Sequence, residues 1–322
     1  MTDLQKNRII TIKPCNIGAG IIILNYQSYL DSCYNHLQSQ QINEGNCNPY
    51  YEKVDDGRLD VIKSEIKSVI DEALKSEHVS KSEYEALDPL NKGPAKFYQM
   101  FKVHKSHNAP ETPPERPIIS ASGSVTENVG LFVEHHIKDF ANKHPSYLQD
   151  TPDFLRMLEA RNAGQPLPKN AILVTLDVSS LYTNIPQDEG LDCIRECLNE
   201  RINPEVPTDL IVKMMEIVLK HNIFEFNQEL FIQLIGTAMG CRPAPSYANI
   251  FMAKKIEPEI VKIAQSLIKD KNPVDTFKRF LDDIFMIYTG SISSLHELLN
   301  ELNCLHPSIK FTMSHITPPD VQ

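Results

Sequence analysis

No stretch of this 322-residue chain approaches the roughly 20 apolar residues that a membrane-spanning helix needs. The start, Met1 to Arg8, holds no apolar segment of the kind that directs secretion. Cysteine is sparse: seven residues, at 15, 33, 47, 193, 197, 241 and 304, with no Cys-x-x-Cys pair among them. Neither a disulfide framework nor a thiolate zinc site is indicated, and a reducing, intracellular setting is expected. Cys193 and Cys197 lie four apart on one helix face and read as core residues. Basic excess is lacking too. The net charge is −10, which counts against a uniformly basic nucleic-acid-binding surface.

What is present is an ordinary globular composition, 41% hydrophobic and 23% charged, which excludes a disordered or fibrous chain. The length predicts two domains or one lobed domain. Charge is unevenly spread. Residues 49–88 hold 11 acidic and 6 basic side chains, whereas residues 92–116 hold Lys92, Lys96, Lys102, Lys105 and Arg116 against Glu111 and Glu115. The chain is acidic on average and basic in one place.

Along the chain, β-branched runs on either side of Gly18 and Gly20 predict a hairpin. Residues 58–75 repeat apolar side chains at three and four, as an amphipathic helix does. Ser80 and Glu83 form a capping-box pattern for a short helix ending before Pro89. The proline-rich segment 106–117 predicts a loop or hairpin tip. From Ala171 to Val178 a continuous apolar run, interrupted by a lone acid at Asp177, predicts a strand buried on both faces. Helices are expected near 188–200 and 209–221, and a hairpin around Asn227-Gln228. The segment 236–253 predicts a loop leading into a helix that Pro258 kinks or ends. Phe277 to Tyr288 predicts two strands with Leu281-Asp282-Asp283 at the bend; Ser294 and Glu297 suggest a second capping box, and Ile309–Met313 a last strand. Strands and helices mix without strict alternation, which favours an α+β fold.

The chemistry concentrates in the acids. Asp282 and Asp283 stand between Phe280-Leu281 and Ile284-Phe285-Met286, where ionised carboxylates are costly and Arg279 is the nearest cation in sequence. A divalent metal would offset that cost, and hard oxygen donors point to Mg²⁺. With Asp177 on another apolar strand, the set suits two metals about 3.5–4 Å apart, as in nucleotidyl transfer. Asp-Asp is equally a common turn composition. Strand alternation predicts that Asp282 meets Asp177 and that Asp283 contributes less.

Four ordered motifs decide between these readings: Arg116-Pro-Ile-Ile-Ser120; Leu176-Asp177-Val-Ser-Ser-Leu-Tyr182-Thr-Asn-Ile-Pro186; Gly236-Thr-Ala-Met-Gly240 with Ala244-Pro-Ser-Tyr-Ala-Asn249; and Arg279-Phe-Leu-Asp-Asp283. Together they resemble the reverse transcriptases of Penelope-like retroelements, over nearly the whole chain. The resemblance implies a right-hand polymerase fold, with an N-terminal extension over 1–90, fingers over 91–170 and palm over 171–322, the palm carrying a helical insert near 188–222. It implies Asp177, Asp282 and Asp283 as catalytic acids holding two Mg²⁺, with Mn²⁺ as a substitute. Arg116 with Lys102 or Lys105 would hold the incoming triphosphate, Gly240 would lie against the template and nascent pair, and Tyr182 would screen the sugar. RNA template, DNA or RNA primer and deoxynucleotides are the implied partners, with no membrane. A nuclear location follows for an active retroelement enzyme. The chain departs from the family pattern at Asn16-Ile17-Gly18 and Met100-Phe101. Ending at Gln322, it is expected to stop after the palm, before a thumb and a GIY-YIG endonuclease, as a truncated copy. The rival is a non-catalytic relic or a co-opted nucleic-acid-binding fragment. Lys310 reads as an exposed strand lysine, and His135-His136 as no metal site, since adjacent helix residues do not face one ligand.

Overall fold

The computed structural model describes residues 9–18, 20–43, 46–103, 113–164, 166–168, 170–268 and 274–316. In its first third the elements run β1 (Ile10–Pro14), β2 (Ile21–Asn25), α1 (Tyr26–Leu37), β3 (Gln40–Asn43), β4 (Asn46–Pro49), β5 (Tyr51–Val54), α2 (Gly57–Lys75), α3 (Lys81–Leu87) and β6 (Ala95–Phe101). There follow β7 (Glu115–Ser120), α4 (Glu127–Asn142), α5 (Thr151–Gly164), β8 (Ile172–Val178), α6 (Leu181–Asn184), α7 (Gln187–Asn199) and α8 (Thr208–Lys220). The rest comprises β9 (Ile223–Phe226), β10 (Glu229–Gln233), α9 (Ala244–Phe251), a π-turn at Met252–Ile256, α10 (Glu257–Leu267), β11 (Val274–Phe280), β12 (Asp283–Tyr288), α11 (Ile292–Leu305) and β13 (Phe311–Ile316). These form two compact units, 1–131 with 213–242 and 132–212 with 243–322. The units cut across the sequential segments 1–90, 91–170 and 171–322, because 213–242 returns to the first unit. Among the described residues no helix is long and apolar enough to cross a membrane.

The first unit is organised by a five-stranded sheet in the order β5-β10-β9-β6-β7. Strand β6 pairs antiparallel with β7 and parallel with β9. Its alternation is strict: Ala95, Phe97, Gln99 and Phe101 are buried, while Lys96, Tyr98 and Met100 face outward. Phe97 meets Phe224 and Phe226 with ring centroids 5.7 and 5.4 Å apart, an aromatic core of tilted and edge-on contacts. The β9–β10 turn uses Asn227 and Gln228, both left-handed at φ +50° and +66°, the twist a two-residue hairpin needs. Helix α2 buries Ile62, Ile66, Ile70 and Ala73. The Ser80–Glu83 capping box opens α3 as its sequence predicts.

The second unit is built on an antiparallel sheet in the order β11-β12-β8-β13. Strand β8 is buried on one face only: Val174, Leu176 and Val178 point inward, while Thr175 and Asp177 are exposed. That corrects the expectation of a strand covered on both sides. Helices back the inner face. Tyr247 on α9 is fully buried and packs so tightly over Gly190 of α7 that no Cβ fits there. Three boundaries differ from expectation. Pro258 falls in the first turn of α10, where proline is tolerated, and the break before it is the π-turn. The capping box of α11 is Ser291 with Ser294, one turn earlier than expected. Residues 115–117 of the proline-rich segment belong to β7, and 104–112 lie outside the described residues.

Candidate active site

Register determines where the acids meet. Asp177, near the end of β8, is the direct cross-strand partner of Asp283 at the start of β12 and of Thr312 on β13. Directly opposed residues point to the same face with Cβ atoms about 4.5–5.5 Å apart. Asp177 and Asp283 therefore stand side by side on the exposed face of the sheet. Asp282 lies in the two-residue turn between Phe280 and Asp283. Its carbonyl accepts from the Val178 amide at 3.0 Å, tying the turn to the strand end that carries Asp177. The residue before it, Leu281, is left-handed at φ +54°, so strand alternation does not govern Asp282. The expected Asp177–Asp282 pairing thus becomes an Asp177–Asp283 pairing, with Asp282 adjoining at the turn.

The donor set fits a hard divalent cation: three carboxylates at one sheet end, two of them register partners on an open face. Among the described residues no three His, Cys, Asp or Glu side chains are gathered into a ready metal cluster. Asp177 and Asp283 are the pair that the register brings together, and Mg²⁺ is commonly held by one or two carboxylates with substrate phosphates. On the same face, a cavity of about 650 Å³ is lined by Phe154, Phe280, Phe285 and Thr175 and reaches Asp283.

Arg279 is not the counter-ion of these acids. It is 1% exposed, and its Nε donates to Glu257 Oε1 at 2.5 Å. Nη1 donates to Asn249 Oδ1 at 2.6 Å and to the Leu281 carbonyl at 3.0 Å, and Nη2 to the Asn249 carbonyl at 3.1 Å. Breaking such a buried pair by removing one partner costs about 3–5 kcal/mol. This network is invisible in sequence because its members lie 22 and 30 positions away. The one available signal was an arginine inside an apolar strand, where a charge has to find a partner.

Tyr182 sits half-buried on the single turn α6, just after the left-handed Ser180. Lys310 donates to the Asn303 and His306 carbonyls at 2.6 and 3.1 Å, satisfying the C-terminal end of α11. Cys193 and Cys197 are buried, and burial pushes both thiols up to about 11. His135 and His136 make an edge-on ring contact with each other.

In the first unit, Arg116 on β7 is the cross-strand partner of Met100, so it shares the outward face of the β6–β7 hairpin. Lys102 continues that ladder through its amide, which donates to the Pro114 carbonyl at 2.7 Å, and alternation puts it on the same face. Arg116 is half-buried, and among the described residues no carboxylate lies within ion-pair distance of it. Lys105 lies outside the described residues. Gly240 has φ +120°, and a Cβ there would come within 2.6 Å of the Ile119 carbonyl oxygen. The close approach that demands glycine is to the chain's own β7, where the Ile119 amide donates to the Met239 carbonyl at 2.9 Å.

Residues 115–314 match the family model described as reverse transcriptase (RNA-dependent DNA polymerase). The fold is similar to that of telomerase from Candida albicans, solved with a fragment of telomeric RNA, at a TM-score of 0.62 and 10% identity over 99% of this chain. Apo telomerase from Candida tropicalis lacking its C-terminal domain is similar at 0.57 and 10% over 97% of this chain. The chain spans 52% and 60% of those two telomerases. No curated protein matches it in sequence. The α+β arrangement is thus the reverse-transcriptase-like polymerase fold, with a fingers- and palm-like core.

Proposed function

The chain belongs to the reverse transcriptase (RNA-dependent DNA polymerase) family, and from that premise we propose that it is the catalytic core of an RNA-directed DNA polymerase of a Penelope-like retroelement. It extends a DNA or RNA primer on an RNA template with deoxynucleotides, releasing pyrophosphate. The observation that carries this reading is the register of Asp177 against Asp283, with Asp282 in the adjoining turn.

Asp177, Asp282 and Asp283 would hold two Mg²⁺ ions, which when bound would activate the primer hydroxyl and neutralise charge on the phosphates. The protein's remaining task is positioning, since phosphoryl transfer asks for little covalent chemistry. The planar fork of Arg116 suits phosphate oxygens, and Lys102 or Lys105 supplies a point charge. The ring of Tyr182 packs beneath the sugar and excludes a 2′-hydroxyl, a discrimination made by steric conflict rather than attraction. Gly240 bears on this indirectly, by seating its loop against the strand that carries Arg116.

The test is extension of a primed RNA template by the purified chain with Mg²⁺ and deoxynucleotides. Template-dependent extension that vanishes in Asp177→Asn is expected. A wild-type chain that binds primed template yet never extends it overturns the catalytic reading in favour of a nucleic-acid-binding fragment.

A further inference from the structure

We propose that Arg279 is a positioning residue, the centre of a buried clamp that holds the acid-bearing turn in its working shape. This rests on the polymerase reading for its purpose, though not for its geometry. Four of the five guanidinium N–H groups are used by Glu257, the Asn249 side chain and carbonyl, and the Leu281 carbonyl. Leu281 is the left-handed residue of the turn, and it immediately precedes Asp282. Arg279 thus ties a backbone conformation that leucine disfavours to two buried polar groups on the helix behind.

The helix is shaped to receive it. Asn249 and Glu257 lie eight residues apart. In a regular α-helix that spacing leaves them roughly 80° apart around the axis, too far for one guanidinium to take both side by side. The π-turn at Met252–Ile256 absorbs one extra residue, the Glu257 amide donating to the Met252 carbonyl five positions back. Eight residues then act as seven, and the two side chains return to about 20° of each other. Glu257 and Asn249 are 4% and 5% exposed, so both are committed to this contact.

The clamp is anchored on its far side. The second carboxylate oxygen of Glu257 lies 3.3 Å from His144 Nδ1. The backbone of Arg279 pairs with the same segment, its amide donating to the Ser146 carbonyl at 2.7 Å and its carbonyl accepting from the Leu148 amide at 2.9 Å. The π-turn, the arginine before the turn and the 144–148 segment therefore form one assembly, which reaches the Leu281 carbonyl just before Asp282. An ion pair needed only for stability has no use for the bond to Leu281.

The experiment separates stability from positioning. The double variant Arg279→Met with Glu257→Leu removes both charges together, so no buried charge is stranded and the fold is kept. Thermal melting reports the fold, Mn²⁺ titration followed by the electron paramagnetic resonance of the free ion reports the acids, and primer extension reports turnover. The expected result is a melting transition that is lowered, because the Asn249 and Leu281 acceptors lose their donor, but still cooperative, Mn²⁺ affinity lower by about 10–100-fold, and kcat lower by about a hundredfold with little change in nucleotide KM. Arg279→Lys keeps a charge for Glu257 but lacks the fork that reaches Leu281, and the same losses are expected of it. A folded variant that binds Mn²⁺ and extends primers like wild type overturns the clamp. Loss of fold in both variants overturns it too, reducing Arg279 to a core ion pair. If wild type binds Mn²⁺ but does not extend, the polymerase reading fails while the Mn²⁺ comparison still decides the clamp.

Discussion

Two antiparallel hairpins carry the candidate chemistry, and they are built to different standards. The β11–β12 hairpin presents its acids from a turn whose shape is held on three sides: by register against β8, by the Val178–Asp282 bond and by the buried Arg279. The β6–β7 pair presents Lys102 and Arg116 by strand alternation, on long side chains that are both half-buried. The anionic site is set by backbone geometry, the cationic one by side-chain choice. Carboxylates that share a cation must be placed to within a fraction of an ångström. A lysine meeting a triphosphate acts as a charge in a field and tolerates imprecision.

The sharpest way to break that contrast is at the acids. Asp177→Asn and Asp282→Asn are each expected to lower kcat by about 10²–10³-fold with melting unchanged, as when a group stabilising transition-state charge is removed. Single-turnover extension measures these two beside Asp283→Asn: a larger loss at Asp283 than at Asp282 gives the leading role to the direct register partner of Asp177, and a smaller one gives it to the turn residue. A smaller effect is expected at the β6–β7 pair. Neutralising Lys102, Lys105 and Arg116 together should weaken binding of primed template or nucleotide and reduce its log–log salt slope by roughly one for each phosphate no longer neutralised. Binding that matches wild type at every salt concentration would make these residues plain surface. The smallest shift is a ratio. Tyr182→Val should raise ribonucleotide over deoxynucleotide incorporation by about 5–150-fold, the equivalent of about 1–3 kcal/mol for a buried polar group left without partners. An unchanged ratio in steady-state kinetics, with lower stability, would make Tyr182 a packing residue.

Local signals were legible wherever a few neighbouring residues determine the outcome. The Ser80–Glu83 box, the apolar stripe from Ile62 to Ala73 and the Asn227-Gln228 turn all follow from spacing that the chain declares within one or two turns. The polymerase fold was legible through the order of its motifs, not through periodicity. What stayed hidden was long-range. Alternation says which face Asp283 takes but not that Asp177 stands opposite, because a period of two leaves the register open. The run from Ile172 to Val178 looked covered on both faces because Leu173 and Thr175 are ambiguous letters; only the sheet shows one face open. The π-turn has no sequence signature, and Pro258 drew the break toward itself. The interleaving of the two units, with 213–242 returning to the first, leaves no trace in composition.

The seat of Gly240 has a kinetic consequence. Its Cα lies against the Ile119 backbone, and the loop is laced to β7 by the Ile119 amide to the Met239 carbonyl and by the Ala121 amide to the Gly240 carbonyl at 3.4 Å. Any opening of the loop must therefore break bonds made by the strand that bears Arg116. The exchange of the Ile119 amide hydrogen for deuterium times that opening, and a ligand that stills the loop will be recorded, three residues away, on the strand that carries the arginine.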